Sequence, residues 1–399
     1  MDPVIGLDVA KGKSQVQAFL QKKNPYKKSF VFEHNVLGLQ DFYQFFKEVE
    51  EAAGLPPAVV FESTGHYHEP VLQFLEERGI VYYLINPVIS HEAKKMSLRK
   101  VKTDAIDAFR LGELYYLYDD LQPFQKKTIE HMNLRNLTRQ HDALTESYVK
   151  IKLQFQTILD QVFPEFKTVF GALYSRTSLT TLLNYQTPQG VMGESVEQIA
   201  EVIFNQGAKR SYKWSLEKAY KLKEAAERDP FKRNLYTSHI VTLTMYIQML
   251  LQHQRHLSKL LQEIDALADK FEDYKIIQSI PGIGGKIAAT IISEIGEIDQ
   301  FTHAKKLVAY AGVDPSVHES GKFKATINRI TKRGSSRLRQ TLYTAVQCGI
   351  TKNRNPKLRS YYDQKREEGK PHKVAIIACV NKLIHWIYAI LKRKEAFKV

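Results

Sequence analysis

Hydrophobic and polar positions change their period twice along the chain, and the changes divide it into three stretches. The first runs to about residue 118. Short apolar runs at 4–9 and 58–61 read as buried strands, and the alternation at 13–19 and 29–33 reads as half-buried ones. Between them, apolar positions spaced three and four apart (Phe42, Phe45, Phe46, Val49) predict a helix over 39–53, stopped by Gly54-Leu55-Pro56. A second helix is predicted over 68–77, closed by Gly79, then a strand over 80–85 stopped by Asn86-Pro87, then a helix over 104–118.

The second stretch is helical. Leu137, Leu144, Tyr148, Ile151, Phe155, Ile158 and Val162 keep a 3,4 spacing. So do Ile240, Leu243, Ile247, Leu250, Gln254, Leu257, Leu261, Ile264, Ala268 and Phe271. Two sustained series predict a coiled-coil middle, either an antiparallel pair or an oligomerising arm. An insert over 163–235, broken at Pro164, Pro188, Gly207 and Pro230, reads as a helical cap. The third stretch opens on Pro281-Gly282-Ile283-Gly284 between an apolar helix end and an Ala-rich helix, a helix-hairpin-helix pattern, and is mainly helical beyond it. The predicted domains are 1–122, 123–272 with its insert, and 273–399.

The first stretch has the order βββαβαβα. This predicts a mixed sheet of three antiparallel and two parallel strands flanked by helices, the ribonuclease-H-like arrangement. Acids fall at the points where that frame gathers ligands: Asp8 on the first strand, Glu62 ending the fourth, Asp104 and Asp107 on the last helix. Asp104 and Asp107 are three apart and share a helix face. Adjacent carboxylates repel and need a cation or a shared proton. Hard oxygen donors favour Mg2+ or Mn2+, and a two-metal clamp serves phosphodiester chemistry. The plain alternatives are a strand-end turn for Asp8, an N-cap acid for Glu62, and dipole-favouring acids in a helix first turn.

Charge adds a second function. Of 399 residues, 58 are basic and 43 acidic, for a net charge of +15. Residues 321–399 hold 20 basic against 4 acidic residues, while residues 1–118 hold 14 against 15. A near-neutral front and a strongly basic tail point to a polyanion held by the C-terminal part. The candidate contacts are Lys102, Gly282, Gly284, Lys286, Lys322, Lys324, Arg329, Lys332, Arg333, Arg337 and Arg339. Glycines there permit close approach of backbone N–H groups to phosphate; the plain alternative is a tight turn between packed helices. Cys348 and Cys379 make no metal-ligand spacing or disulfide framework. The N-terminus lacks the shape of a signal peptide, and Asn381, Lys382 and His385 break the longest apolar run. A cytoplasmic, nucleoid-associated protein with no membrane partner is expected. Ser320, in Glu319-Ser320-Gly321, reads by itself as a turn residue.

Six motifs stand in one order: Ile5-Gly6-Leu7-Asp8-Val9-Ala10-Lys11, Phe61-Glu62-Ser63-Thr64-Gly65, Ile85-Asn86-Pro87, Lys102-Thr103-Asp104-Ala105-Ile106-Asp107-Ala108, Ile280-Pro281-Gly282-Ile283-Gly284 and Ala309-Tyr310-Ala311-Gly312. In this the chain resembles the DEDD transposases of the IS110 insertion-sequence family, the bridge-RNA-guided recombinases. The resemblance implies a RuvC-like N-terminal domain, a coiled-coil arm and a C-terminal transposase domain. It places the metal-binding carboxylates on Asp8, Glu62, Asp104 and Asp107. It also places a serine nucleophile, which forms a 5′-phosphoserine link to DNA, on Ser320. The partners it implies are donor and target double-stranded DNA, a structured guide RNA, and further copies of the chain in a dimer or tetramer. Two other readings stay open: a RuvC-like Holliday-junction endonuclease using metal-activated water, and a non-enzymatic helix-hairpin-helix scaffold for nucleic acid.

Overall fold

A computed structural model describes residues 2–62, 65–85, 90, 103–118, 128–206, 210–231, 236–316, 319–320, 323–324 and 329–398, with backbone alone at 319–320 and 323–324. The chain forms two compact units, Met1–Lys126 and Lys127–Val399.

The first unit is built on a five-stranded sheet: β1 (Val4–Ala10), β2 (Lys13–Gln21), β3 (Asn24–Glu33), β4 (Ala58–Glu62) and β5 (Tyr82–Ile85), in the order β3-β2-β1-β4-β5. β1 pairs antiparallel with β2, and β2 with β3; β1 and β4 are parallel, as are β4 and β5. This is the mixed sheet that the element order predicts. β3 begins earlier than its alternation indicates. Its polar start pairs across a tight turn in which Lys23 has φ 64°, with Gln21 opposite Asn24. As an edge strand it tolerates polar residues that a central strand would not.

Alternation sorts the side chains of β1 onto two cores. Ile5, Leu7 and Val9 face Phe42, Phe45 and Phe46 of helix α1 (Val36–Ala53) and Phe74 of α2 (Glu69–Glu77). Val4, with Phe19 and Val60, faces Leu111 and Leu114 of α3 (Asp104–Leu117). Asn35 caps α1 by accepting from Gly38 N–H at 2.9 Å, and Thr103 caps α3 from Ile106 N–H at 3.3 Å. Helix α3 lies so close on β1 that a Cβ at Gly6 would run into the Ala108 carbonyl and approach Gly112 N to 2.6 Å. Both obstacles are backbone and cannot swing aside. Gly6→Ala is therefore expected to cost about 1–3 kcal/mol, read as a lower midpoint in thermal unfolding. An unchanged midpoint would mean that α3 does not press on β1 in this way.

The second unit is almost entirely helical. Two long helices, α4 (Ile129–Val162) and α9 (Thr237–Ala268), enclose in sequence the short helices α5 (Arg176–Asn184), α6 (Pro188–Met192), α7 (Val196–Phe204) and α8 (Tyr212–Arg228). α4 and α9 run antiparallel. Leu134 packs with Ile264 and Ala268 at one end, and Phe155 and Leu159 share a core with Leu243 and Ile247 at the other. Halfway, Gln254 Nε2 donates to Tyr148 Oη at 2.8 Å. The seam is not uniformly buried: Leu144 and Leu257 are half-buried, and Leu261, expected inside it, is exposed. Other helices cover the pair at its two ends and leave its middle partly solvated. The insert is helical in its described residues and folds around Phe163, Phe166, Leu179, Leu182, Ile199 and Leu222.

Beyond α9 come α10 (Glu272–Gln278), α11 (Gly285–Ile295), α12 (Ala304–Ala311), the two-residue strands β6 (Glu319–Ser320) and β7 (Phe323–Lys324), then α13 (Ser336–Ile350), α14 (Pro356–Glu367) and α15 (His372–Arg393). Helix α15 is long and apolar enough to cross a membrane by length and composition. It packs instead as a core helix, burying Ile376, Cys379, Val380, Leu383, Ile384 and Ile387.

Candidate active site and nucleic-acid surface

The acids of the first unit sit at one end of the sheet. Leu7 and Phe61 are opposite each other in the parallel pairing of β1 with β4, so Asp8 and Glu62 follow at the ends of neighbouring strands. By alternation both face the α3 side, like Val4, Val60 and Ala58. α3 crosses that face against the direction of β1: Tyr116 Oη at its far end donates to the Asp2 carbonyl at 2.9 Å, while Ala108 and Gly112 press on Gly6. Its first turn, with Asp104 and Asp107, is thereby brought to the Asp8 end of the strand. Asp107 is 5% exposed and lies 3.6 Å from Arg110; Asp104 is exposed. Glu62 accepts from Ser90 Oγ at 2.7 Å.

Sequence reasoning missed Ser90 because it is 28 residues from Glu62 and belongs to no recognisable pattern. Among the described residues, no three His, Cys, Asp or Glu side chains are gathered into a ready-made metal cluster. Carboxylates are hard oxygen donors of the kind a divalent cation takes; here two end neighbouring strands and two stand in the first turn of α3, with Glu62 bonded to Ser90 and Asp107 near Arg110.

In the second unit, β6 and β7 pair as a small hairpin with Ser320 opposite Phe323. The segment that carries the hairpin leaves and re-enters the core through a tightly bonded stem. Ser316 N–H donates to the Arg329 carbonyl at 2.7 Å, Thr331 N–H to the Asp314 carbonyl at 2.9 Å, and Thr331 Oγ1 to Asp314 Oδ1 at 2.6 Å. Pro315 bridges to Ile330, and Ser335 N–H bonds the Tyr310 carbonyl at 2.7 Å. Gly312 takes φ 66°, where Ala309-Tyr310-Ala311-Gly312 turns into this stem. The side chains of Ser320 and Lys324 lie outside the described residues, as do Lys102 and Lys322.

The remaining basic candidates differ in what holds them. Arg329, Lys332 and Arg333 are exposed beside the stem. Arg339 is turned inward: its Nη1 donates to the Ala311 carbonyl at 2.9 Å, and burial lowers its pKa. Lys286 and Arg337 both reach the Asp142 carboxylate of α4. In the turn between α10 and α11, Gly282 takes φ 98°, and a Cβ there would meet Gly349 Cα of α13 at 2.6 Å. That glycine has an internal packing reason. Gly284 is open, with no atom within 4 Å of the position of a Cβ.

Acids lie at a sheet end in one unit, and the other is a basic helical unit with a clamped loop; the class, a transposase, comes from comparison with known families. A family model described as a transposase (DEDD, IS110 type) matches residues 5–164, and one described as Transposase IS116/IS110/IS902 family matches residues 274–363. The chain belongs to the IS110 family of transposases. It is similar to the insertion element IS116 uncharacterized 44.8 kDa protein of Streptomyces clavuligerus, 24% identical over 74% of this chain and 72% of that one. It is also similar to the transposase for insertion sequence element IS1111A of Coxiella burnetii, 32% identical over 34% of this chain and 38% of that one. A pilin gene-inverting protein of Moraxella bovis is 30% identical over 31% of this chain and 38% of its own length.

Proposed function

We propose that this transposase cuts and exchanges DNA strands through a covalent phosphoserine, with Ser320 as nucleophile and Asp8, Glu62, Asp104 and Asp107 as ligands of Mg2+ or Mn2+, on a RuvC-like frame guided by a structured RNA. The observation that supports this reading most is the placement of carboxylates from β1, β4 and α3 at one sheet end. When bound there, a divalent ion would draw charge from a scissile phosphate. The chain's own residues supply the rest. Ser320 Oγ attacks phosphorus and loses its proton; the 3′ oxygen of the broken bond leaves as a hydroxyl; the 5′ phosphate stays on the serine. A 3′ hydroxyl of another strand then attacks that phosphate and returns the serine hydroxyl. Each step exchanges one phosphodiester for another, so no high-energy cofactor is consumed.

In this account residues 1–122 supply the acids, 123–272 form the arm, and 273–399 hold nucleic acid and carry the serine. Because acids and serine belong to separate compact units, an assembly of two or four copies, working at the nucleoid, is free to combine them across subunits. Gly282, Gly284, Lys286, Lys322, Lys324, Arg329, Lys332, Arg333, Arg337 and Arg339 belong to the basic unit that would face DNA or RNA, and Lys102, two positions before Asp104 in the sequence, is the remaining candidate contact. The RNA component is tested by purifying the protein from cells carrying its element and sequencing what accompanies it. A discrete RNA encoded beside the gene, with segments complementary to donor and target DNA, is expected. DNA without an enriched RNA would favour a junction endonuclease that uses the same acids with water.

A further inference from the structure

Two acid–base clusters tie α4 to the C-terminal core, and they differ in whether the acid at their centre is reached by water. The first surrounds Glu294 of α11, which is 0% exposed. It accepts from Arg139 Nε at 2.8 Å and Nη2 at 3.1 Å, and from Ser335 Oγ at 3.3 Å, with Arg135 Nη2 at 3.5 Å. Beside it, Thr138 and Ser293 share a hydroxyl contact of 3.3 Å. Its carboxylate is fully buried while the side chains of Arg139 and Arg135 keep 39% and 23% exposure, and it anchors α4 to α11. The second surrounds Asp142, on the next turn of α4. Its Oδ1 is bonded to Lys286 Nζ from the first turn of α11, and its Oδ2 lies 3.7 Å from Arg337 Nη1 in the first turn of α13. His141 Nδ1 lies 3.9 Å from Oδ1. Here the side chains of Asp142, Lys286 and Arg337 keep 30%, 26% and 39% exposure.

The open cluster has the form of an oxyanion seat. Cations from two separate helices converge on the two oxygens of one carboxylate, and a phosphodiester presents the same pair of anionic oxygens. Burial raises the Asp142 pKa, but His141, Lys286 and Arg337 outweigh it and hold the carboxyl below its usual range. The seat is therefore filled by an anion at neutral pH. Gly284, two residues before Lys286, has no atom beyond its chain neighbours within 4 Å of where a Cβ would stand, so the turn's surface is open there. Because the buried Glu294 already joins α4 to α11 through Arg139, the solvent-reached Asp142 is free to be exchanged for another anion.

We propose that Lys286 and Arg337 form a seat for one nucleic-acid phosphate, and that Asp142 occupies this seat in the free chain as an internal stand-in. Binding there exchanges a carboxylate for a phosphodiester, so polyanions without the fitting geometry gain little from these two cations. The inference rests on the reading of residues 273–399 as a nucleic-acid-binding unit. A cation already neutralised by Asp142 releases no counterion, so the free chain's salt dependence understates its basic charge.

The test is Asp142→Asn in the full chain, with binding to a random-sequence DNA duplex and to a structured RNA hairpin titrated at several salt concentrations. Roughly 3–10-fold tighter binding at low salt is expected, with a log–log salt slope steeper by up to about 0.9 per cation freed. The probe that responds identifies which backbone uses the seat. Unchanged affinity and slope with both probes, while the wild type binds, overturns the stand-in alone. A wild type that binds neither probe in a salt-dependent way overturns the nucleic-acid reading and the seat with it. If Asp142→Asn fails to fold, Lys286→Gln combined with Arg337→Gln decides: binding weaker by roughly 3-fold or more, with a shallower slope, is expected, and wild-type binding overturns the seat.

Discussion

Asp107→Asn is expected to abolish strand cleavage in magnesium while the fold persists. Asparagine keeps the shape of the buried side chain and removes the charge that faces Arg110. The loss of activity should exceed the roughly 10–100-fold that changes around a metal ligand cost, and Asp8→Asn should behave alike. Ser90→Ala provides the graded control. It removes the hydrogen bond that orients Glu62 but leaves the carboxylate, so a loss of about 10–100-fold is expected. The measurement is cleavage of a supercoiled substrate across a magnesium titration, beside a thermal melt. Asp107→Asn cleaving like the wild type, with its melt unchanged, would make the acid a helix first-turn residue and remove the proposed metal site.

Ser320→Ala is expected to lower strand transfer by at least about 10³-fold, in line with losses at other nucleophiles. Binding to DNA and RNA should stay within about 2-fold, since one hydroxyl contributes little to a contact set dominated by phosphate charge. The same stem bonds hold the loop in both proteins, since Asp314–Thr331 and Ser316–Arg329 do not involve the serine. Transfer at the wild-type rate by Ser320→Ala would return Ser320 to a turn residue and favour water as nucleophile.

What was legible in the sequence follows from how local each feature is. The strand order was readable because each strand of the first unit carries its own period and its own stop signal, such as Gly54-Leu55-Pro56 after α1. The placement of Asp8, Glu62, Asp104 and Asp107 on their elements was readable for the same reason: each lies at a strand end or helix start that the local pattern already marks. The polar start of β3 was not, because an edge strand need not alternate. Nor was the exposure of Leu261. A 3,4 spacing reports a helix face, whereas burial depends on which other helices cover that face. Ser90 on Glu62 and Asp142 on Lys286 join residues 28 and 144 positions apart, and neither partner bears a mark of the other. Gly282 looked like a phosphate-approach glycine, and its packing against Gly349 became visible only once α13 was in place.

The most direct measurement incubates the full-length protein, its co-purified RNA and magnesium with a donor DNA nicked close to the cleavage site, so that the cut strand diffuses away before it rejoins. Denaturing electrophoresis then separates free protein from protein carrying DNA, and mass spectrometry of the adduct locates the link. A protein–DNA adduct through a 5′ phosphate on Ser320, absent in Ser320→Ala and in Asp107→Asn, is the result predicted. Cleavage that yields free 5′ phosphate ends with no adduct would contradict the serine mechanism and assign the attack to water.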